Sequence, residues 1–178
     1  MSAIALDAEL DQPETIEIVT KDNARFTITK EAAKGSQVFA AAMDDYSATE
    51  IFCPEGTDAA VDVIIEYLSY KNNQIEPPIE VRPILPANIA NVITDSRDRD
   101  LMERLFSRDI DDVLDVTSVC NYLGLVSLLH IIAAYNATKI RGKTIEEVAR
   151  YMLPKRRTLS DDVMRRIEDV VKRARDSS

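Results

Sequence analysis

The chain has 178 residues, of which 46% are hydrophobic and 30% charged, a composition typical of one folded domain with an extension. The formal net charge of −9 is uneven, with −14 over residues 1–135 and +5 over residues 136–178. An acidic chain is a poor general nucleic-acid binder, so only the last quarter is suited to phosphate contacts. A single histidine, four glycines and no tryptophan disfavour histidine-based catalysis, zinc sites and glycine-rich phosphate loops.

The cysteines and the N-terminal residues bear on the compartment. Cys53 and Cys120 belong to no C-x-x-C pair and are expected to be reduced thiols in the core, typical of a reducing compartment. Residues 1–13 are expected to form a flexible acidic tail and lack the features of a signal peptide. The most apolar stretch, Leu123–Tyr135, is too short to cross a bilayer. We therefore expect a cytoplasmic and nuclear protein without membrane contact.

The first third of the chain predicts a small sheet with a helix. Apolar residues alternate in Thr15–Thr20 and in Arg25–Thr29, and the turn-prone residues between them predict a β-hairpin. Helical spacing of apolar residues over Glu31–Asp45 predicts a single helix. A third strand is predicted at Glu50–Cys53 and ends at Pro54, which cannot donate a hydrogen bond to a sheet.

A helix and then a long loop are predicted next. The helix is capped by Thr57 or Asp58, and its apolar positions recur at helical spacing. These positions are Val61, Ile64, Ile65 and Leu68. Residues 75–100 contain four prolines and no glycine, which predicts a loop, and the charged run at 98–100 is expected to be solvated. Apolar residues in the loop indicate that it packs against the domain: Ile84, Leu85, Ile89, Val92 and Ile93.

Helices are predicted over the following residues. A short helix near Leu101–Phe106 precedes a longer one from Asp109 to Leu123, which Gly124 ends. The apolar side predicted for the longer helix consists of Ile110, Val113, Leu114, Thr117 and Cys120. Leu125–Ile140 predicts the next helix, with apolar positions at Leu128, Leu129, Ile132 and Tyr135.

The last two predicted helices are amphipathic, and little sequence remains to cover their apolar sides. Thr144 and Glu147 have the spacing of a capping box at the start of the first, and Ser160 is the expected cap of the second. Their apolar sides either pack against the domain or bind a helix of a partner. Together the elements predict an α+β (small α/β) fold with a three-stranded sheet and a C-terminal helical extension.

No motif carries catalytic chemistry. The acidic residues between 109 and 115 do not match a calcium loop, because Leu114 occupies the position that requires glycine, and they are expected to be acids at a helix start. His130 has no nucleophile nearby and is expected to be partly buried with its hydrogen bonds satisfied. The basic run at 154–157 is either a nuclear import signal or a phosphate contact. We predict a protein-binding module that is not an enzyme and has no metal or cofactor.

Several runs of residues resemble the S-phase kinase-associated adaptors, the Skp family. The N-Y-L of residues 121–123 with Leu128-Leu129 resembles the family pattern N-Y-L-D-I-x-x-L-L, and I-R-G-K-T-I-E-E-V at 140–148 resembles its I-K-G-K-T-P-E-E-I run. Weaker similarity to the POZ fold of the family lies in Phe26–Ser36, Ile51–Pro54 and Tyr67–Pro78. The resemblance covers residues 14–78 and 101–168. Elongin C shares the POZ fold but ends before the last two helices, so it fits less well.

The resemblance implies an adaptor of an SCF-type ubiquitin ligase. A POZ/BTB-like domain at 14–135 would bind a cullin, and C-terminal helices at 136–178 would bind the F-box of a substrate receptor. By position, Asn121 and Tyr122 correspond to cullin-facing residues of the family. The residues that correspond to, or extend, its F-box-facing surface are Leu129, Ala133, Ile140, Ile145, Val148, Met152, Ile167 and Val170.

The chain departs from the family pattern in its C-terminal part. Ile145 replaces the proline that is modified in some members, so that modification is not expected. The counterpart of the C-terminal tryptophan is near Arg173, and the last helix is expected to be basic where that of the family is acidic. These departures indicate a divergent member. They leave open a structural role beside an F-box protein in a chromosomal or cytoskeletal assembly, phosphate contact by residues 136–178, and self-association when no F-box partner is present.

Overall fold

The computed structural model describes residues 14–46, 48–74, 89–153 and 161–176. They form a three-stranded sheet and eight α-helices, which confirms the predicted α+β fold class. The strands are β1 (Thr15–Thr20), β2 (Arg25–Thr29) and β3 (Glu50–Cys53). The helices are α1 (Lys30–Ala33), α2 (Gln37–Tyr46), α3 (Asp58–Lys71), α4 (Ser96–Phe106), α5 (Ile110–Leu123), α6 (Val126–Ile140), α7 (Ile145–Met152) and α8 (Asp161–Asp176).

The sheet has the strand order β2-β1-β3, with β1 antiparallel to β2 and parallel to β3. The predicted hairpin and the third strand are therefore confirmed. The hairpin turn is held by Thr20, whose hydroxyl oxygen accepts the N–H of Ala24 at 3.1 Å. The same hydroxyl donates to Asp58 Oδ1 at 2.6 Å, which joins the sheet to the first turn of α3. Inward-facing residues of all three strands are buried against helices: Ile16, Ile18, Ile28 and Ile51.

The single helix predicted over Glu31–Asp45 is wrong, because the chain forms two helices there. The break lies between α1 and α2, where buried Ser36 makes hydrogen bonds that a helix interior would not allow. Its Oγ accepts the N–H of Phe39 at 3.2 Å, as an N-cap does. The same hydroxyl donates to the carbonyl oxygen of Leu123 at 2.9 Å and so ties the start of α2 to the end of α5.

Helices α3 and α5 form the centre of the core. The predicted cap of α3 is Thr57, whose hydroxyl accepts the N–H of Ala60, and three of its four predicted apolar positions are buried. The apolar side of α5 differs from its prediction by about one position. Val116, Val119 and Leu123 are buried, whereas Leu114 and Thr117 are half-buried. Both thiols are buried and form no disulfide, and burial raises the pKa of Cys120, which disfavours a reactive thiolate.

The prediction of a loop over residues 75–100 is wrong at its end. A 3₁₀ turn at Ile89–Asn91 is followed by α4, which begins at Ser96 and includes the short helix predicted near Leu101. The Asp95 carboxylate caps α4 by accepting the N–H of Arg97 at 2.9 Å. Val92 and Ile93 are buried, as their apolar character predicted, and residues 75–88 lie outside the described residues.

A buried ionic cluster joins the end of α3 to the start of α4. Asp98 is only 3% exposed, so the prediction that it is solvated is wrong. Lys71 Nζ lies 2.9 Å from Asp95 Oδ2 and 2.9 Å from Asp98 Oδ2. The hydroxyl of Tyr70 donates to Asp98 Oδ1 at 2.6 Å. Asp98 is buried because Lys71 is buried beside it and requires a counter-charge.

The pKa values of this cluster shift in directions that favour the ionised pair. The hydrogen bond from Lys71 lowers the pKa of Asp95 below its ordinary value of 3.8. Burial alone would lower the pKa of Lys71, but hydrogen bonds to Asp95 and Asp98 outweigh burial and raise this pKa above 10.5. The contribution of Asp95 is lost as the pH falls through its lowered pKa, and that of Lys71 as the pH rises through its raised pKa. The cluster is therefore fully stabilising at neutral pH.

We expect Asp98→Asn to lower the free energy of unfolding by about 2–3 kcal/mol, because the amide leaves Lys71 with Asp95 as its remaining carboxylate. Asp100→Asn, two residues further along the exposed side of α4, should change it by less than about 0.5 kcal/mol. Urea denaturation of both variants measures the difference. Equal stability of the two variants would contradict the role of the cluster.

The turn between β3 and α3 is packed tightly against α5. Gly56 has a φ of +81°, and a Cβ atom at this position would overlap with the Cγ2 methyl group of Val119. Gly142, between α6 and α7, has a similar φ of +74°, but nothing lies within 4 Å of the corresponding Cβ position. The two glycines thus share a backbone requirement and differ in packing.

We therefore expect Gly56→Ala to destabilise the protein by about 2 kcal/mol more than Gly142→Ala does, because overpacking of a tight site costs about 1–3 kcal/mol. Both variants bear the cost of a left-handed φ, so the comparison isolates the steric overlap. Thermal unfolding of the two variants side by side measures it. A larger loss of stability for Gly142→Ala would contradict a cost of steric overlap at Gly56 and would leave the left-handed backbone conformation as the cause of both losses.

Candidate functional site

Helix α7 begins at the predicted capping box, which is confirmed. Thr144 Oγ1 accepts the N–H of Glu147 at 3.3 Å, and Glu147 Oε2 accepts the N–H of Thr144 at 2.8 Å. This backbone hydrogen bond lowers the pKa of Glu147. Although the capping box stabilises the N-terminus of α7, none of the residues of this helix is buried. The helix is therefore held on the outside of the domain and is not part of its core.

Helix α6 has one side in the core and another side towards solvent. Leu128, Ile132 and Tyr135 are buried, as predicted. The other side carries Val126, which is 44% exposed, and the exposed Ala133. Its remaining apolar residues, Leu129 and Ile140, are half-buried. An apolar side of a helix that the domain does not cover is the feature expected of a binding surface.

The C-terminal end of α7 lies against the middle of α6. Asn136 Nδ2 donates to the sulfur of Met152 at 3.7 Å. Tyr151 is half-buried against the core, and this burial raises the pKa of its hydroxyl. These contacts orient α7 while leaving Ile145 44% and Met152 36% exposed. Val148, between them, is half-buried.

Helix α8 packs against α7. Met164 and Ile167 are half-buried, whereas Val163 is 39% and Val170 60% exposed. Val170 has the largest exposed fraction among the large apolar side chains of the described residues. The exposed and half-buried apolar residues of α6, α7 and α8 are here called the extension surface. Its members named by the sequence are Leu129, Ala133, Ile140, Ile145, Val148, Met152, Ile167 and Val170, none of which is buried.

The surface residues named by the sequence omit three exposed apolar residues: Val126 of α6, Val163 of α8, and Leu153, which lies just beyond the end of α7. Val126 precedes Ala133 and Ile140 at intervals of seven residues, a spacing that places all three on one side of α6. Leu153 and Val163 are each 39% exposed and flank the residues outside the description at 154–160. The seven-residue spacing could have identified Val126 from the sequence, whereas Leu153 lies beyond the end of α7 and belongs to no helical repeat.

Asn121 and Tyr122 lie on the last turn of α5, away from the core. Both are exposed, with 38% of Tyr122 accessible, while the neighbouring Leu123 is fully buried. Gly124 ends the helix with a φ of +70°, as predicted. The two side chains are therefore presented by a rigid helix end whose next residue anchors it in the core.

The described residues bear on the predictions about metal sites, His130 and the basic run. Within them, no group of three or more His, Cys, Asp or Glu side chains could hold a metal ion. The expectation that His130 has its hydrogen bonds satisfied is wrong, because its buried Nδ1 has no partner among these residues. The basic run at 154–157 lies outside the description. None of the described helices is long and apolar enough to span a bilayer.

The last helix was expected to be basic, and that expectation needs correction. Over Asp161–Asp176 it carries five acidic and five basic residues. Two acids begin the helix and three bases lie near its end, an order that suits the helix dipole. The helix therefore has no net charge, and its basic residues are concentrated towards its C-terminal end.

We expect the double substitution Ile145→Gln and Val170→Gln to change the free energy of unfolding by less than about 1 kcal/mol in total, because both side chains are exposed. Leu128→Ala, on the buried side of α6, should cost about 2–5 kcal/mol. Chemical denaturation of the two proteins compares them. A loss in the double variant as large as that of Leu128→Ala would place the extension surface in the core.

Comparison with known proteins gives one relative and no family assignment. No family model matches the chain. The chain is 25% identical over 134 residues to an S-phase kinase-associated protein 1 homolog of Tetrahymena thermophila. The aligned region covers 75% of this chain and 78% of that protein. This similarity supports a relationship to the S-phase kinase-associated proteins, the group that the sequence motifs resemble.

Proposed function

We propose that the protein is an adaptor subunit of an SCF-type ubiquitin ligase, which bridges a cullin scaffold to F-box substrate receptors in ubiquitin-dependent degradation. The observation that carries the proposal is the extension surface, formed largely by two helices beyond the core with exposed apolar residues. The similarity to an S-phase kinase-associated protein 1 homolog supports the same role. The protein is not an enzyme on this proposal and acts by bringing two partners together, which raises the effective concentration of substrate.

The extension surface binds the F-box of the receptor. Apolar side chains such as Ile145, Met152 and Val170 gain about 25 cal/mol for each Å² that a partner removes from water. Because the domain leaves these side chains exposed, the gain is available to an amphipathic partner segment laid across them. Half-buried neighbours such as Val148 and Ile167 form the floor of the contact.

The chain divides by function at residues 135 and 136 on this proposal. Residues 14–135 form the POZ-like domain and residues 136–178 form the extension. The division falls inside α6, whose buried side belongs to the domain and whose exposed side continues the extension surface. A continuous helix through the boundary fixes the angle between the two partners, which a flexible linker would not do.

The scaffold side of the adaptor is the end of α5. Tyr122 is a rigid, partly exposed aromatic residue, the type most often found at the centre of protein interfaces. Asn121 beside it supplies hydrogen-bonding groups. The cullin binds these two residues, in the cytoplasm and in the nucleus, where such ligases act.

A second candidate function is a structural role beside an F-box protein without a cullin, in a chromosomal or cytoskeletal assembly. Exposed Arg173 and Ile145, at positions where the related adaptors carry tryptophan and proline, favour this alternative. The same extension surface would also support self-association when no F-box partner is present, because two copies can cover each other's apolar residues.

We expect Asn121→Lys with Tyr122→Lys to abolish cullin capture and to leave F-box capture unchanged, because the substituted residues are exposed and the extension surface is intact. Val148→Asp with Met152→Asp should give the opposite result, since carboxylates placed in an apolar contact are not solvated. Affinity purification with mass spectrometry of each tagged chain measures both partners.

The two double variants serve as controls for each other. Loss of both partners in either variant would indicate unfolding, which circular dichroism detects independently. Recovery of F-box proteins without a cullin by the unsubstituted chain would favour the structural alternative. Recovery of neither partner would contradict the adaptor role.

A further inference from the structure

We propose that the free edge of β3 binds an extended segment of a partner protein in which an apolar residue is flanked by basic ones. The binding element consists of the outward-facing backbone groups of Glu50 and Phe52, here called the β3 edge, together with the Phe52 ring. It belongs neither to the extension surface nor to the end of α5. This contact is therefore independent of the proposed function, and its test requires neither a cullin nor an F-box receptor.

The register of β3 against β1 determines which of its backbone groups are free. The N–H of Glu17 donates to the carbonyl oxygen of Thr49 at 2.9 Å, and Glu17 is paired with Glu50 in the parallel ladder. Because alternate residues of a strand bond to the same neighbour, Ile51 faces β1, while Glu50 and Phe52 point their N–H and C=O groups away from it. β3 is the last strand in the sheet order, and within the described residues no hydrogen bond satisfies these four groups.

Phe52 adds an apolar contact to the β3 edge. Its side chain lies on the outer face of the sheet and is 56% exposed, whereas Ile51 and Cys53 on the inner face are buried. Short edge strands are usually protected by charged side chains, and an exposed aromatic ring gives no such protection. Free backbone groups beside an exposed apolar side chain are the combination used in β-strand addition, where the backbone supplies affinity and the side chains supply specificity.

The charge around β3 determines the kind of segment that fits. Residues 35–70 contain seven acidic residues and no lysine, arginine or histidine. Glu50 shares the guanidinium group of Arg25 with Glu17, so that one cation faces two carboxylates. Glu55, just beyond the end of β3, is exposed and forms no ion pair within the described part of the chain. Basic side chains on both sides of an apolar residue therefore complement this edge in either strand direction.

Other occupants fit the β3 edge less well. A second copy that paired β3 with itself in a two-fold contact would bring the acidic residues of both 35–70 stretches together. Residues 1–13 of the same chain carry three acidic residues and no lysine or arginine, so they would add to the negative charge. A nucleic acid would add phosphates to it. A basic segment of another protein is the occupant that lowers this charge while it pairs with the free backbone groups.

The first test uses three labelled peptides of equal length and the full chain. One repeats lysine, threonine, valine and threonine, so that lysine and valine alternate on one side of the extended peptide. The second has glutamate in place of lysine, and the third has proline in place of valine. We expect the glutamate peptide to bind at least about tenfold more weakly than the lysine peptide at low salt, because it is repelled by the acidic stretch. The proline peptide should also bind more weakly, since it lacks the N–H groups that pair with β3. Fluorescence anisotropy measures the affinities. No preference for lysine over glutamate, or no binding, overturns the proposal.

Matched variants test the charge at the β3 edge. Glu50→Gln with Glu55→Gln removes two negative charges beside Phe52. Asp62→Asn with Asp100→Asn makes the same change in net charge at exposed positions of α3 and α4. We expect E50Q/E55Q to weaken binding of the lysine peptide about fivefold at low salt and D62N/D100N to weaken it less than about twofold. Equal weakening by the two variants overturns the proposal.

A second pair of variants separates the ring of Phe52 from its backbone. Phe52→Ala removes the ring, and Phe52→Pro also removes the N–H, which points away from β1 and forms no bond within the sheet. Phe52→Ala should weaken the lysine peptide about fivefold, and Phe52→Pro should weaken it further. Circular dichroism verifies that each variant is folded. Unchanged binding by Phe52→Ala overturns the proposal.

Hydrogen exchange of the backbone amides in the unsubstituted chain locates the contact, whether or not Phe52→Pro folds. Without peptide, the amides of Glu50 and Phe52 should exchange much faster than those of Ile51 and Cys53, which donate to β1. The lysine peptide at ten times its Kd should slow exchange at Glu50 and Phe52 about tenfold. Protection of these two amides in the free chain overturns the proposal. It would assign the β3 edge to a second copy if it rose with chain concentration, and to residues 1–13 if it did not.

Discussion

The buried ammonium group of Lys71 sets the arrangement of the domain's helices. An ion removed from water requires opposite charges and hydrogen bonds at close range, or it costs several kcal/mol. Lys71 is the last residue of α3, and its two carboxylates come from Asp95 and Asp98, 24 and 27 residues later. Because both acids stand at the start of α4, the ion pair fixes where α4 begins and how close it lies to α3.

The position of α4 in turn supports the surface proposed to bind partners. Phe106, at the end of α4, packs against Tyr135 of α6 with the ring centroids 4.8 Å apart. Tyr135 also lies beneath the ammonium group of Lys139, one turn further along α6. Since α7 is held through Asn136 and Tyr151 against the same part of α6, the placement of the extension depends on contacts that begin at Lys71. A stable domain is thus a condition for presenting the extension surface at all.

The parts of the fold that the sequence predicted are those fixed by local rules. The hairpin, β3, the cap of α3 and the capping box of α7 depend on residues within a few positions of one another, and all are confirmed. The misplaced features depend on distant partners. Ser36 breaks the first predicted helix through Leu123, 87 residues away, and Asp98 is buried by Lys71, 27 residues away. Neither partner can be found by spacing or composition.

The candidate site shows the same division. The resemblance assigned Ile145, Val148 and Val170 to a partner-facing surface, but the sequence could not tell whether the domain covers these residues, because coverage depends on the tertiary arrangement. The structure answers that question by leaving them exposed or half-buried. The identity of the partner that covers these residues depends on the shape and charge of that partner. In the same way, the geometry shows that Asn121 and Tyr122 are exposed, and their assignment to a cullin contact comes from the resemblance alone.

The separation of core from extension has an energetic consequence. Because α7 contributes no buried residue, opening of the extension costs less free energy than opening of the domain, whose helices α3 and α5 carry the core. A partner that binds only the closed extension stabilises it in proportion to the logarithm of partner concentration over Kd. The closed extension is also favoured by the charge distribution of the chain, because the net charge of −14 over residues 1–135 attracts the net charge of +5 over residues 136–178. On the proposed function, the extension is therefore ordered most by the receptor it selects, while the end of α5 keeps its geometry whether or not a receptor is bound.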